Sequence, residues 1–277
     1  MGEIIEGAAG TGITDLGATD HLHSRYNMPD IAAARRDFLR SAASRNFHFG
    51  IEVTCMRQWE LDEIATGRYE APTYGLEDYG PGAGPVGIAL TDEDIETYGI
   101  EFVVGGAHWA RGIPMERRDI IENFHRQNMF LATHGLVDIV AHPWWWHGHF
   151  QGEDGMFRDL PWFDDFNVVP RSFHDEFAAA LIERGKAAEV NPATVLNGHF
   201  PQRWREQYLE YLAGLVQRGV KLSVGSDCHS RPYGNRFDEV GPLLERIGVR
   251  DEDLWGMPPR SPEDQRRLAA DEPTAKT

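Results

Sequence analysis

Cysteine is scarce in this chain, with only Cys55 and Cys228 among 277 residues, which excludes a disulfide framework. No apolar run approaches the roughly 20 residues that cross a bilayer, and no charged-then-apolar leader opens the sequence, so a soluble, cytoplasmic protein is expected. Basic residues are the minority: 27 Lys and Arg face 44 Asp and Glu, a formal net charge of −17. A broad nucleic-acid or anionic-membrane surface is therefore not expected. A small phosphorylated substrate stays compatible, because a metal cluster can supply positive charge locally. Internal repeats, low-complexity linkers, a G-x-S-x-G elbow and an activated-cysteine signature are also lacking, which removes the usual covalent-nucleophile readings.

What is present is a core-forming composition, 41% hydrophobic, enough for a single domain of this length. We read one domain over 1–261 and a frayed tail over 262–277. Six β-rich runs end in or carry polar residues: "ITDLGATDH", "FHFGIEV", "GIEFVVGGAHW", "LVDIVAHP", "KAAEVN" and "VKLSVGSDCH". Segments with apolar residues at three- and four-residue spacing fall between most of them, at 30–45, 116–134, 172–185 and 201–218, and residues 3–10 read as a short helix. That alternation predicts a parallel α/β fold. Two long interruptions, 55–98 and 143–171, are rich in aromatics and follow strand ends. They read equally as lids over a site and as surface loops pinned by their own aromatics.

The chemistry is concentrated at the strand ends, where His21, Glu52, His108, His142, Asp227 and His229 stand. In a parallel barrel such ends converge on one face, so repeated His, Asp and Glu there point to a metal site. Asp227 and His229 are two apart, and on an extended backbone both leave from the same face. Mixed imidazole and carboxylate donors suit zinc, manganese or iron and are typical of multinuclear hydrolytic sites. Cys228 between them and Cys55 beyond Glu52 read as packing. Arg25 and Arg231, each ending an "HSR", and Arg111, three past His108, are candidate phosphate clamps, and each alone also reads as a solvated surface arginine. Glu189 and Asn191 read as site-lining residues rather than ligands.

"GATDH", "GIEV", "GGAHW", "VAHPW" and "SVGSDCHS", in this order, resemble the successive motifs of the PHP (polymerase and histidinol phosphatase) superfamily over about residues 3–231. The resemblance implies a distorted seven-stranded (β/α) TIM-like barrel with two or three divalent ions, zinc, manganese or iron. It also implies hydrolysis of phosphate esters, with metal ligands at His21, Glu52, His108, His142, Asp227 and His229. Glu52, His108 and His142 would hold one cation, and His21 with His229 would contribute to another. The match departs at the start. Such proteins open with a His-x-His pair some twenty or more residues before the "TDH", yet only twenty residues precede His21 and none is histidine. Six runs rather than seven agree with that. The expectation is a chain missing its first strand, with one metal position weak, two exposed sheet edges and room for a homo-oligomeric partner to cover them. His21 and His23 could themselves be the opening pair, but the order of the motifs favours His21 as the second-motif ligand, with His23 beside it.

The function expected on this reading is hydrolysis of a small organic phosphate monoester through metal-activated hydroxide, with Asp227, His229, Arg25 and Arg231 at the reacting centre. Two alternatives stay open. One is an amidohydrolase-like metal-dependent hydrolase of amides or lactones, against which the "SDxH" pair and the glutamate of "GIE" speak. The other is a degenerate, non-catalytic metal-binding barrel.

Overall fold

The structure is a computed structural model that describes residues 1–8, 15–41, 47–76, 80–146, 162–197, 200–229, 237–257 and 259–260. Six parallel strands form its sheet: β1 (Leu16–Leu22), β2 (Phe47–Thr54), β5 (Phe102–Gly106), β6 (Ile139–Ala141), β7 (Ala187–Val190) and β8 (Lys221–Val224). They lie side by side in chain order, each joined to the next by a crossover, as in a barrel wound in one direction. β3 (Met56–Arg57) and β4 (Val86–Gly87) pair antiparallel outside this sheet.

The strands read as near-continuous apolar runs because both their faces are covered. Leu22, Phe49, Ile51, Val53, Val103, Val140, Ala188 and Leu222 look outward into one large core shared with the helices. α2 (Met28–Ser41) contributes Ile31 and Phe38, and α5 (Arg117–Thr133) contributes Ile120, Phe124 and Leu131. α6 (Arg171–Arg184) adds Phe177 and Leu181, and α8 (Gln202–Gln217) adds Trp204, Tyr208 and Leu212. No helix among the described residues is long and apolar enough to cross a membrane.

The inward face is narrow. Phe102 lies so close to Gly17 and Gly50 that a Cβ on Gly50 would meet its ring at 2.4 Å, so the neighbouring strands need glycine there. Phe102, Val104, Ile139, Ala141 and Ala187 form a separate inner cluster, and Trp255 and Met257 from the C-terminal segment pack against it.

β1 and β8 are the two ends of the sheet, and the C-terminal segment spans them. Leu254 bridges to Leu222 of β8, and the Trp255 N–H donates to the Leu222 carbonyl at 2.7 Å. Two residues on, the Met257 N–H donates to Asp15 Oδ2 at 3.0 Å, just before β1. Arg260 then grips Glu101 with two hydrogen bonds, of 2.6 and 2.9 Å, and Glu101 also meets His48 Nδ1 at 2.9 Å. Part of the edge for which a partner chain was expected is thus met by the chain's own residues.

The segment 55–98 is a small structured unit rather than a bare lid. It carries β3, β4, α3 (Gln58–Ala65) and α4 (Asp92–Tyr98), with Met56, Ile64 and Leu76 as its own apolar cluster. Thr91 caps α4 in a reciprocal capping box with Asp94, and Gly99 closes it in the left-handed region at φ 57°. Of the segment 143–171, residues 147–161 lie outside the described residues, as does the tail from 261. The flanking aromatics Trp144, Trp146 and Phe166 are fully packed into the core.

Candidate metal centre

The ligand-type residues gather at the C-terminal ends of the strands. β1 and β2 run in register with His21 opposite Glu52, and Glu52 stands opposite Val104 of β5. One ligand atom each from His21, Glu52 and His108 lies within 4.8 Å of the others, close enough to share a cation. Glu52 Oε1 is 3.1 Å from His108 Nε2 and 3.7 Å from His142 Nε2. On the far side, His229 Nε2 is 3.1 Å from Asp227 Oδ1 and 3.1 Å from His21 Nε2. The six residues therefore form one continuous chain of contacts, with Glu52 and His229 as its two hubs.

The local backbone differs from the extended strand end expected for "SDCHS". β8 stops at Val224, and Asp227 sits beyond it with φ 50°. His142 has φ 26°. Neither is glycine, so the left-handed conformation costs each of them about 1–3 kcal/mol, a strain that clusters at sites where a side chain must be aimed. Asp227 and His229 still meet, but through the bend of that loop and not through strand periodicity. Cys228 is half-buried, whereas Cys55 is buried and burial pushes its thiol pKa well up, so it is inert packing.

Around the ligands lies a supporting layer. Thr54, two past Glu52 on the same strand face, places its hydroxyl 2.7 Å from His23 Nδ1 and 3.1 Å from His108 Nδ1, fixing both rings. His23 stacks on His21 with ring centroids 4.9 Å apart. Glu189 Oε2 accepts the backbone N–H of His142 at 2.8 Å. Asn191 donates from Nδ2 to Asp227 Oδ2 at 2.9 Å, and its Oδ1 accepts the Ala193 N–H at 2.9 Å, capping α7 (Pro192–Leu196). Thr54 went unnoticed in the sequence, although its two-residue spacing from Glu52 was the available signal. Because Asn191 serves as both cap and brace, Asn191→Ala is expected to lose about 1 kcal/mol in urea denaturation. Asn191→Asp should keep the cap but set a second carboxylate against Asp227, so metal retention and not the denaturation midpoint should separate the two variants.

Electrostatically the site is a coupled set. Burial alone would raise Glu52, but hydrogen bonding with His108 and His142 outweighs it and holds the carboxylate well below its usual range. For His142 burial works downward, yet Glu52, Glu189 and Asp227 together bring its pKa up to about 9. Burial pushes Glu189 up to about 7. His23 falls to about 3, through burial first and then the neighbouring His21 and His108, so it stays a neutral imidazole. Nδ1 of His21 and of His142 are buried without a hydrogen-bond partner, although a polar atom in that position normally has one. An ionised carboxylate among histidines with orphaned ring nitrogens fits a divalent cation, whose binding would displace the proton that His142 otherwise holds.

The arginines divide. Arg25, expected as a phosphate clamp, has its guanidinium paired with Asp94 of α4 and bonds the Ala89 carbonyl at 3.4 Å. Arg231 lies outside the described residues. Arg111 stands at the site wall, its guanidinium 3.9 Å over the Trp109 ring, which is itself 5.5 Å from the His108 ring. Of the three consecutive tryptophans, Trp144 and Trp146 are core residues, and Trp145 packs 4.8 Å from His142.

No known family model matches the chain, and no curated protein matches it. Among solved structures it is similar to histidinol phosphate phosphatase from Lactococcus lactis subsp. lactis Il1403, crystallised with zinc, L-histidinol and phosphate. That alignment has a TM-score of 0.55 at 15% identity and covers 90% of this chain and 87% of the other. A Xaa-Pro dipeptidase with bound methionine aligns at a TM-score of 0.31 and 16% identity, over 79% of this chain and 44% of that one. An archaeal fructose 1,6-bisphosphate aldolase aligns at 0.32 and 11% identity, over 98% and 97%. Both are too loose to bear on the fold. The sheet order, the strand-end histidines and the 0.55 alignment agree on one architecture: the chain has a parallel α/β barrel fold similar to that of the lactococcal phosphatase.

Proposed function

We propose that the chain is a metal-dependent phosphomonoesterase acting on a small organic phosphate. The observation that carries this reading is the convergence of His21, Glu52 and His108 within 4.8 Å at the strand ends, with His142, Asp227 and His229 in contact around them. Glu52, His108 and His142 would hold one cation, and His21, Asp227 and His229 a second. When bound, such ions supply positive charge against phosphate oxygens and acidify water, so no protein nucleophile is required. The chain's own residues do the rest. Glu52 stays ionised, Thr54 orients the His108 ring, and Asn191 and Glu189 fix Asp227 and the His142 backbone. Asp227 in turn holds the His229 ring, whose Nε2 is 3.1 Å from Asp227 Oδ1.

The likeness to a histidinol phosphate phosphatase supports phosphate esters over amides or lactones as substrates, as does the glutamate–histidine donor set. The metal-reconstituted chain is expected to release phosphate from a panel of phosphomonoesters and to leave matched amides and lactones untouched. Hydrolysis of amides or lactones alone would replace this reading with the amidohydrolase-like one. Metal binding without turnover on any member would leave the non-catalytic barrel.

A further inference from the structure

Beside the metal centre, between β3, α3 and α5, lies a partly open cavity of about 20 Å³. A single water needs roughly 10–15 Å³, so the cavity has room for one small chemical group and not for a whole molecule. Three guanidinium groups line it, from Arg57, Arg111 and Arg126. The only carboxylate in the lining, among the described residues, is Glu60. Glu60 is already engaged: Oε2 takes Arg57 at 2.9 Å, and Oε1 takes Arg111 at 3.0 Å and the Leu76 N–H at 2.5 Å. Among the described lining residues, three guanidinium groups thus face one carboxylate.

Two guanidinium nitrogens at the cavity have no partner. Arg57 is 7% exposed, and its Nη1 is buried without a hydrogen bond. Arg126 spends Nη1 on the Gly84 carbonyl at 2.6 Å and Nη2 on the Gly82 carbonyl at 3.5 Å, while its Nε is buried without a hydrogen bond. A buried charged donor left unsatisfied is costly, so such donors usually have an acceptor when the protein is at work. Clustered positive charge and idle planar donors are what carboxylates and phosphates bind. The cavity also adjoins the candidate metal centre, because Trp109 and Arg111 line it and the Trp109 ring packs against both His108 and His23 at 5.5 and 5.4 Å.

We propose that this cavity is a subsite for a second anionic group, a carboxylate or a further phosphate, on the same substrate whose phosphoryl group lies at the strand ends. The proposal rests on the phosphomonoesterase reading for the identity of the ligand, but the anion site itself does not. The substrates favoured would be dianionic-plus esters, such as phosphorylated carboxylic acids or bisphosphates, over neutral-tailed alcohol phosphates.

Two measurements on the full chain separate these statements. In the first, the chain is stripped with EDTA and titrated calorimetrically with sulfate at constant ionic strength, as wild type and as Arg126→Gln. Losing a charge-assisted bond should weaken sulfate binding by about 10-fold. In the second, the metal-loaded proteins are compared on phenyl phosphate, 4-carboxyphenyl phosphate and 1,4-phenylene bisphosphate. Wild type should prefer the latter two by about 10-fold in kcat/KM, a ratio that Arg126→Gln should bring close to one and Arg126→Lys should partly restore. Preference for only one of the two tails would identify the natural group. Sulfate binding that ignores Arg126, or turnover without tail preference, overturns the subsite. Arg126-dependent sulfate binding with no phosphatase activity would keep the subsite and reject the phosphomonoesterase reading instead. Arg126 is only half-buried and holds no ion pair with Glu60, so its replacement spares the fold that Arg57→Gln would endanger; matching thermal melts check this.

Discussion

Glu52→Gln is expected to strip the chain of bound metal and to lower phosphomonoester turnover by at least ~100-fold, since losing even an outer-shell partner of a metal site costs about 10–100-fold. Glu52 is the hub between His108 and His142 and stays ionised despite burial because both imidazoles contact it. Glutamine keeps the shape and removes the charge that a cation needs. The pairing also cuts the other way: without the carboxylate, the influence that raises His142 is diminished, so that ring should titrate at lower pH. Elemental analysis of the purified variant and phosphate release at saturating metal test this. Full metal content with wild-type turnover would remove Glu52 from the centre.

Arg260→Ala is expected to destabilise the fold by about 2 kcal/mol, between the losses found for exposed and for buried ion pairs. Arg260 and Glu101 are 13% and 17% exposed, and their two hydrogen bonds join the C-terminal segment to the β5 entry. Burial would raise the Glu101 pKa, but His48 and Arg260 bring it down to about 2 from 4.5. A depressed carboxylate contributes stability that is fully present above the unfolded pKa and is lost as pH falls from about 4.5 towards 2. The stability difference between wild type and Arg260→Ala should accordingly be full at pH 7 and shrink through that acid window. Urea denaturation at pH 7, 4 and 3 gives the comparison, and a constant difference at all three would show that Glu101 is not the partner that matters.

The strands and their ligands were legible because two signals coincide. Apolar runs such as "FHFGIEV" mark strands buried on both faces, and a metal-ligand residue type closes or punctuates them. Where contacts are long-range the sequence was mute. Arg25 finds Asp94 69 residues away, and nothing near "HSR" announces that ion pair. Trp144 and Trp146 open an interruption that reads equally as a lid and as a self-packed loop, and both are packed inward, against Phe173 and against Phe166 and Trp204. The positive φ of His142 and Asp227 is equally invisible, because non-glycine residues enter that region only when surrounding packing compels them.

The bridge between β8 and β1 has one more consequence, for the order in which the protein assembles. Asp15 and Met257 are 242 residues apart in the chain, and His21 and His229, which touch across the same seam, are 208 apart. Contacts of such separation carry the largest loop-closure entropy and form late in folding. The candidate metal centre therefore straddles the last joint to close, with Glu52, His108 and His142 on one bank and Asp227 and His229 on the other. A cation shared between His21 and His229 would act there as a rivet, turning an open curved sheet into a ring and tying the completion of the fold to the completion of the site.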